Sequence, residues 1–415
     1  MKLLVLADDL TGALDTGIQF TAGHANTRVV LDARYPLSKA DPSVQVLVID
    51  TESRHLSPEN AAGIVQNIVR QAVDLKVPYL YKKTDSALRG NTGAELAAAL
   101  EASGEHQLHF ISAFPRAKRT TAGGIQLIDG VPVAESVFGQ DPFEPVLHSA
   151  VAEILAEQTA TAVTSVPLGD MVSEKAGIAV YDAATDDDIR FRAQELKSAG
   201  KLKLLAGCAG FAAMLPGMME LSGAKEVQPQ YASSFLVACG SVNPITIAQL
   251  DEAERQGFRR IRITPEQALT PGWFEGPTGE ALLAEWADLL KSGKNCILDT
   301  NPAPGGETAY DFAKKQALSL EEMRVQIART MGRIIQMLLA RGMQSTLLIT
   351  GGDTLMGFMQ TVGVSEIVPV RELVTGSVLS LVEIGGAIYN IISKSGGFGE
   401  KTLVSDLARL VLPQK

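Results

Sequence analysis

Three short apolar runs near the start of the chain each break off in a burst of charged and hydroxyl side chains. Lys2–Ala7 runs into Asp8-Asp9-Leu10-Thr11-Gly12, and Val44–Ile49 into Asp50-Thr51-Glu52-Ser53-Arg54. Tyr79–Tyr81 runs into Lys82-Lys83-Thr84-Asp85-Ser86-Ala87-Leu88-Arg89-Gly90. In open α/β sheets the carboxyl ends of parallel strands form the ligand crevice. Consecutive parallel strands therefore bring the three bursts into one pocket. Its carboxylates, hydroxyls and cations suit a small polyhydroxy anion.

Helical patterns separate such runs along the whole chain. Gly12–Ala22 follows the first run, and Pro58–Leu75 carries Ile64, Val65, Ile68, Val69, Ala72 and Val73 at helical spacing. Asn91–Ala102 is a third helix and Leu108–Ser112 a fourth strand. Asp129-Gly130 marks a hairpin between Ile125–Ile128 and Val131–Ala134. Helices at Pro145–Glu157, Asp186–Ser198 and Gly210–Leu221 alternate with strands at Gly177–Tyr181 and Lys203–Ala206. Ser222–Ala232 is polar and aperiodic and reads as a linker. A second α/β series follows, with strands at Ser234–Ala238, Arg260–Ile263, Asn295–Leu298, Thr346–Ile349, Val378–Glu383 and Tyr389–Ser393. Its helices are expected at Pro244–Gln256, Leu320–Arg341 and Thr402–Val411. At 415 residues the chain is long for one core and comfortable for two. The expectation is two three-layer α/β domains, 1–225 and 232–415, with a cleft between them.

Composition narrows the partners. Aromatic residues make up 5% of the chain and its net charge is −10, whereas nucleic-acid binding wants stacking platforms and an excess of cations. No nucleic-acid partner is expected. No run approaches the ~20 apolar residues of a membrane span, and Asp8 and Asp9 interrupt the apolar start before it reaches signal length. A cytoplasmic protein with no membrane partner is the expectation. Cys208, Cys239 and Cys296 are too far apart and odd in number to suggest a disulfide framework or a zinc site.

The candidate chemistry of the first half lies in the bursts. One of Asp8 and Asp9 can cap the following helix, which leaves the other to accept hydrogen bonds from ligand hydroxyls. Strand alternation turns one of Lys82 and Lys83 inward, and a buried ammonium needs an anion. Asp85 or a bound carboxylate would serve. Arg54 and Arg89 offer planar forks for that carboxylate. The competing account is a structural salt-bridge network. Arg116, Lys118 and Arg119 follow the fourth strand, as solvated surface or as a wall of the cleft.

The second half holds three glycine turns, each after a strand: Gly240-Ser241, Gly351-Gly352-Asp353-Thr354, and Lys394-Ser395-Gly396-Gly397-Phe398-Gly399. Glycine lets backbone approach phosphate, and a helix start offers free N–H groups and the positive end of its dipole. Three such turns favour a nucleotide site. Asp353 could orient Mg²⁺ or take a proton from an attacking hydroxyl. Familiar alternatives are missing: Glu400 stands where a phosphate loop of the Gly-x-x-x-x-Gly-Lys-Ser/Thr type needs its last glycine, and no dinucleotide, nucleophile-elbow or His-Glu-x-x-His motif occurs.

Taken together, Ala7-Asp8-Asp9-Leu10-Thr11-Gly12-Ala13, Lys82–Asn91, Ala113-Phe114-Pro115, Asp141-Pro142, Gly240-Ser241, Thr350–Thr354 and Lys394–Gly399 resemble the four-carbon acid sugar kinases. They span the chain in the family's order. The resemblance implies an N-terminal domain for the acid sugar and a C-terminal domain for ATP, which close on each other and exclude water. It implies phosphorylation of the terminal hydroxyl of D-threonate, with D-erythronate and 3-oxo-tetronate as alternatives, and ATP with Mg²⁺ as cofactors. Asp8, Asp9, Arg54, Lys82, Lys83, Thr84, Asp85 and Arg89 would contact the sugar acid. Gly240, Ser241, Gly351, Gly352, Asp353, Thr354, Gly396 and Gly397 would contact ATP. Asp353 is the favoured base and Asp9 its rival, while the metal ligands are left open. The chain departs from the family at Ala87, where many members carry Thr. A homo-oligomer remains open. Two other classes compete: a two-lobed sugar-acid binding protein, which needs no glycine turns, and an oxidoreductase or a Schiff-base aldolase acting on the same acids through Lys82.

Overall fold

The computed structural model describes residues 1–141, 144–224, 227, 229 and 231–412. Pro142 of the Asp141-Pro142 pair, the expected boundary at 225, and Glu226, Gln228 and Gln230 of the expected linker lie outside the described residues. Backbone contacts divide the chain into two compact units, residues 1–226 and 227–415.

In the first unit the order is β1 (Leu3–Ala7), α1 (Leu10–Ala22), β2 (Thr27–Val30), β3 (Val46–Asp50), α2 (Pro58–Asp74), β4 (Tyr79–Lys83), α3 (Thr92–Ser103) and β5 (Gln107–Ile111). Then come β6 (Arg119–Ala122), β7 (Ile125–Ile128), β8 (Val131–Pro132), α4 (Val151–Ala156), β9 (Val163–Val166), β10 (Gly177–Tyr181), α5 (Asp186–Ser198), β11 (Leu204–Gly207) and α6 (Ala209–Ala212). Eight strands form a parallel sheet in the order β2-β3-β1-β4-β11-β5-β10-β9, and β6-β7-β8 make a small antiparallel ribbon. All five residues of β1 are buried, as a central parallel strand covered on both faces demands. Leu4, Leu6, Leu47 and Ile49 pack against Val65, Ile68 and Val69 of α2 and Leu96 and Ala99 of α3. On the opposite face α1, α5 and α6 pack together.

The second unit runs β12 (Ser234–Cys239), α7 (Pro244–Arg255), β13 (Arg259–Arg262), α8 (Pro265–Leu269), α9 (Pro277–Lys291), β14 (Cys296–Asp299), α10 (Ala309–Lys315) and α11 (Leu320–Ala340). It ends with β15 (Ser345–Thr350), α12 (Gly352–Val362), β16 (Glu366–Val374), β17 (Ser377–Ile384), β18 (Ala387–Lys394) and α13 (Leu403–Val411). Its strands lie in the order β13-β14-β12-β15-β18-β17-β16, parallel from β13 to β18 and antiparallel beyond. Leu250 and Ala253 of α7 and Leu403, Val404 and Leu407 of α13 cover one face. Helices α8, α9, α11 and α12 pack together on the other.

Several expected elements are corrected. The helix foreseen over Gly210–Leu221 stops at Ala212, ahead of Pro216 and Gly217, which cannot sustain it. The helix foreseen from Pro145 begins at Val151, because Ser149 and Ala150 pair with the β7 segment instead. Pro132 ends the second hairpin strand early. Strands β2, β9 and β16 carried too little alternation to be foreseen, and Pro369 interrupts the last of them. Helices α8, α9 and α10 were also missed. All three cysteines are buried and unpaired. No helix among the described residues is long and apolar enough to cross a membrane.

Candidate functional site

The strand order puts both sites where the chain reverses its direction of travel across a sheet. β1 lies between β3 and β4, so the three polar bursts emerge side by side at one edge, as expected. The switch point falls between β1 and β4, the standard position of a ligand crevice in such sheets.

Asp9 caps α1, its Oδ1 accepting from the Gly12 N–H at 3.1 Å, and its Oδ2 accepts from the Thr11 hydroxyl at 2.7 Å. Asp8 does no capping. Both carboxylates are gripped by the same two cations. Arg54 Nε donates to Asp8 at 2.8 Å, and its Nη2 lies 2.7 Å from Asp9 Oδ1. Lys83 Nζ lies 3.1 Å from Asp8 and 3.2 Å from Asp9. Asp85 and Arg89 form a fork at 2.9 and 3.1 Å, and Arg89 also reaches Asp141 at 3.2 Å and covers the Phe138 ring. Arg54 stands 3.9 Å from Asp85, which joins the two halves into one network. Burial pushes Asp8 and Asp9 up, but Arg54 and Lys83 outweigh it, and the Thr11 hydrogen bond adds to this at Asp9; both end below the usual carboxylate range. Burial also raises Asp85, and Arg89 with Arg54 outweighs it in turn.

Lys82 is placed elsewhere. It points to the opposite face of the sheet, where its ammonium lies 2.9 Å from Glu95 of α3. The anion expected beside the inward lysine is therefore Glu95, not Asp85. Glu95 also accepts from the Ser53 hydroxyl, which meets Thr51 at 2.7 Å, and Lys82 donates to the Lys83 carbonyl at 2.8 Å. This network braces the two loops from beneath. Thr84 is buried with no partner for its hydroxyl. Of the cations that follow β5 only Arg119 is buried; Arg116 and Lys118 pair at the surface with Asp186 and Asp129.

Sequence reasoning missed three supports. Asn91 donates to the carbonyls of Ser53, Arg54 and Leu56, and so fixes the Arg54 loop. Asp50 is buried at the end of β3, where burial and the neighbouring Glu52 push it well above the usual carboxylate range. Gly12 faces Lys83 so closely that a Cβ there would collide with its ammonium. Gly12→Ala is expected to dislodge Lys83 from Asp8 and Asp9 and to cost about 1–3 kcal/mol, the usual range for overpacking. Urea unfolding measures this; an unchanged midpoint would mean that the lysine swings aside freely.

In the second unit the switch point lies between β12 and β15. Gly240 and Ser241 follow β12, and Gly351, at φ 98°, leads into α12. A Cβ on Gly240 would collide with Thr354 Oγ1; one on Gly351 would stand 3.7 Å from Ser241 Cβ, and one on Gly396 3.4 Å from Ser241 Oγ. The three glycine turns thus meet around Ser241. No side chain caps α12, so its first-turn N–H groups are open to an anion. Asp353 sits in that turn, 39% exposed and paired with Arg324 of α11. Asn301, also missed, donates to the Ser241 carbonyl at 3.0 Å. Behind it the buried Asp299 pairs with Arg260 at 2.7 Å.

Comparison with known proteins follows this division. A family model described as a sugar-binding N-terminal domain matches residues 3–215, and one described as a nucleotide-binding C-terminal domain matches 236–404. The chain is 30% identical to a D-threonate kinase of Salmonella typhimurium, over 98% of this chain and 97% of the relative. It is 27% identical to a D-erythronate kinase of Heliobacterium modesticaldum, over 96% and 94%. It is 24% identical to a 3-oxo-tetronate kinase of Methylobacterium radiotolerans, over 96% of each. Among solved structures, a Salmonella typhimurium protein superposes with a TM-score of 0.77 at 19% identity, over 99% of both chains. A Haemophilus influenzae protein superposes with a TM-score of 0.69 at 18% identity, over 99% of this chain and 100% of the other. These two likenesses concern the fold.

Proposed function

The chain belongs to the four-carbon acid sugar kinase family, and from that premise we propose that it transfers the γ-phosphoryl group of ATP to the terminal C4 hydroxyl of D-threonate. D-Erythronate and 3-oxo-tetronate are the alternative acceptors. The observation that carries the reading is the meeting of three glycine turns around Ser241 at the open start of α12. A protein that only held a sugar acid would need the cluster of the first unit and nothing of this kind.

In this reading the sugar's carboxylate meets Arg54, Lys83 or Arg89, and its hydroxyls donate to Asp8 or Asp85, with Thr84 alongside and Asp9 holding Arg54 and Lys83 in place. Every cation in this network already has an internal carboxylate, so the sugar's carboxylate exchanges with one of these partners and no cation stands bare before it binds. That limits the desolvation cost of binding. In the second unit Gly240, Ser241, Gly351–Thr354, Gly396 and Gly397 cradle the phosphates, with the α12 N-terminus supplying N–H groups. Among the described residues no group of three or more His, Cys, Asp or Glu side chains is gathered for a metal ion. The residues that would hold Mg²⁺ with the phosphates are those around the Ser241 hydroxyl at the meeting point of the turns, and the ion would supply charge neutralisation there. Asp353 accepts the proton of the attacking hydroxyl.

ADP release with Mg-ATP, measured against D- and L-threonate, D- and L-erythronate and 3-oxo-tetronate, tests the proposal. Turnover is expected on D-threonate above the others. ATP binding with no turnover on any of them would move the acceptor outside four-carbon acids, and absence of ATP binding would return the chain to a sugar-acid binding role.

A further inference from the structure

Lys394 closes β18 with a side chain that is wholly buried. Its ammonium donates to Thr246 Oγ1 at 3.3 Å, to the Ser395 carbonyl at 3.0 Å and to the Gly396 carbonyl at 3.4 Å. Every partner is neutral. α7 carries Asp251, Glu252 and Glu254 and β17 carries Glu383, but no carboxylate among the described residues acts on the Lys394 ammonium. β15 offers Thr350 and β17 offers Ser377, both in register with Lys394 and both with unpartnered hydroxyls. α7 offers Thr246 and Gln249. β12 offers Cys239, whose thiol burial pushes up to about 12, so that it stays uncharged. Three other buried cations are matched by carboxylates: Lys82 has Glu95, Lys83 has Asp8 and Asp9, and Arg260 has Asp299. A buried ammonium without an anion is costly, and folds rarely keep one without a use for it.

Its neighbours point to that use. The Thr246 hydroxyl donates to the Gly396 carbonyl at 3.0 Å, and Gln249 one turn on donates to the carbonyls of Phe398, Gly399 and Glu400. Lys394, Thr246 and Gln249 thus clamp the outer side of the 395–400 loop, whose Gly396 lies against Ser241.

We propose that Lys394 is a positioning residue of the nucleotide site, holding the glycine loop by its carbonyls and receiving its missing counter-charge from the phosphates of the bound nucleotide. The inference rests on the reading of the second unit as the ATP site. Burial lowers Lys394 to about 8. The free protein therefore loses this charge as pH rises through about 8. A polyanion beside the ammonium favours the charged form and raises its pKa, so nucleotide binding takes up a proton above pH 8. Phosphate itself has its second ionisation near 6 and is silent in that range.

Calorimetric titration of Mg-ADP at pH 8.5, in two buffers of different ionisation enthalpy, reads the proton directly. The wild type is expected to take up more than about half a proton, and its affinity to fall about tenfold between pH 8 and pH 9.5. Lys394→Met, which keeps the volume, is expected to bind without proton uptake and with little pH dependence. Binding by the wild type without uptake, or uptake retained in Lys394→Met, overturns the proposal. Should that variant fail to fold, Thr246→Val carries the test, because losing one acceptor must lower the pH midpoint of uptake; an unmoved midpoint overturns the assignment. Absence of Mg-ADP binding at pH 7.5 removes the nucleotide reading itself, a result distinct from binding without proton uptake.

Discussion

Asp353→Asn is expected to bind ATP and the acid sugar about as well as the wild type and to turn over roughly 10²–10⁴-fold more slowly, the usual contribution of a general base. The argument turns on which candidate carboxylate has a lone pair to give. Asp9 has none: its Oδ1 faces the Gly12 N–H, Lys83 and Arg54, and its Oδ2 faces the Thr11 hydroxyl and Arg54. A carboxylate offers about four such sites, and here five contacts fill them. Its side chain is 17% exposed against 39% for Asp353, which pairs with Arg324. That arginine orients the Asp353 carboxylate, and a loose phosphoryl-transfer transition state asks little more of its base than orientation. Asp9→Asn should accordingly raise KM for the acid sugar and lower stability with kcat less affected. Steady-state kinetics on both variants decide the matter; near-normal kcat in Asp353→Asn would remove it from the chemistry.

Much of the fold is legible in the sequence alone, for reasons specific to α/β sheets. Three strand ends loaded with polar groups can serve one site when their strands are neighbours, and the β3-β1-β4 order makes them so. The glycine turns were legible because each follows a strand, but their meeting at Ser241 depends on β12, β15 and β18 being adjacent, which no local pattern states. What stayed hidden was pairing over distance. Alternation says that one of two successive lysines turns inward, yet nothing local says that Glu95, on the following helix, is waiting for Lys82. Asn91 reads as the first residue of a helix and instead precedes α3 and holds three carbonyls of another loop. Gly12 reads as a first-turn helix residue, although the space it leaves is filled by Lys83. Lys394 hid inside a motif noticed for its glycines. The missed strand β16 carries Pro369 and the charges of Glu366, Arg371 and Glu372, so its pairing with β17 overrides a sequence that does not favour a strand.

Substituting the two adjacent lysines should separate stability from binding. Lys82→Met leaves Glu95 buried with the Ser53 hydroxyl for company, and stripping one partner from a buried ion pair costs about 3–5 kcal/mol. The folded fraction should keep the KM of the wild type for the acid sugar, since Lys82 lies on the face of the sheet away from Asp8 and Asp9. Lys82→Met combined with Glu95→Met should regain most of the loss, because two well-packed apolar groups replace a buried pair at little cost. Lys83→Met behaves otherwise. Arg54 still spans Asp8 and Asp9, so some of their charge stays compensated, but the cluster gains net negative charge where an anionic ligand must enter. Its KM for the acid sugar should rise by at least tenfold, about 1.4 kcal/mol of lost interaction. Urea unfolding and steady-state kinetics on the three variants give opposite patterns for the two lysines. A raised KM in fully folded Lys82→Met would place that side chain back among the groups that meet the substrate.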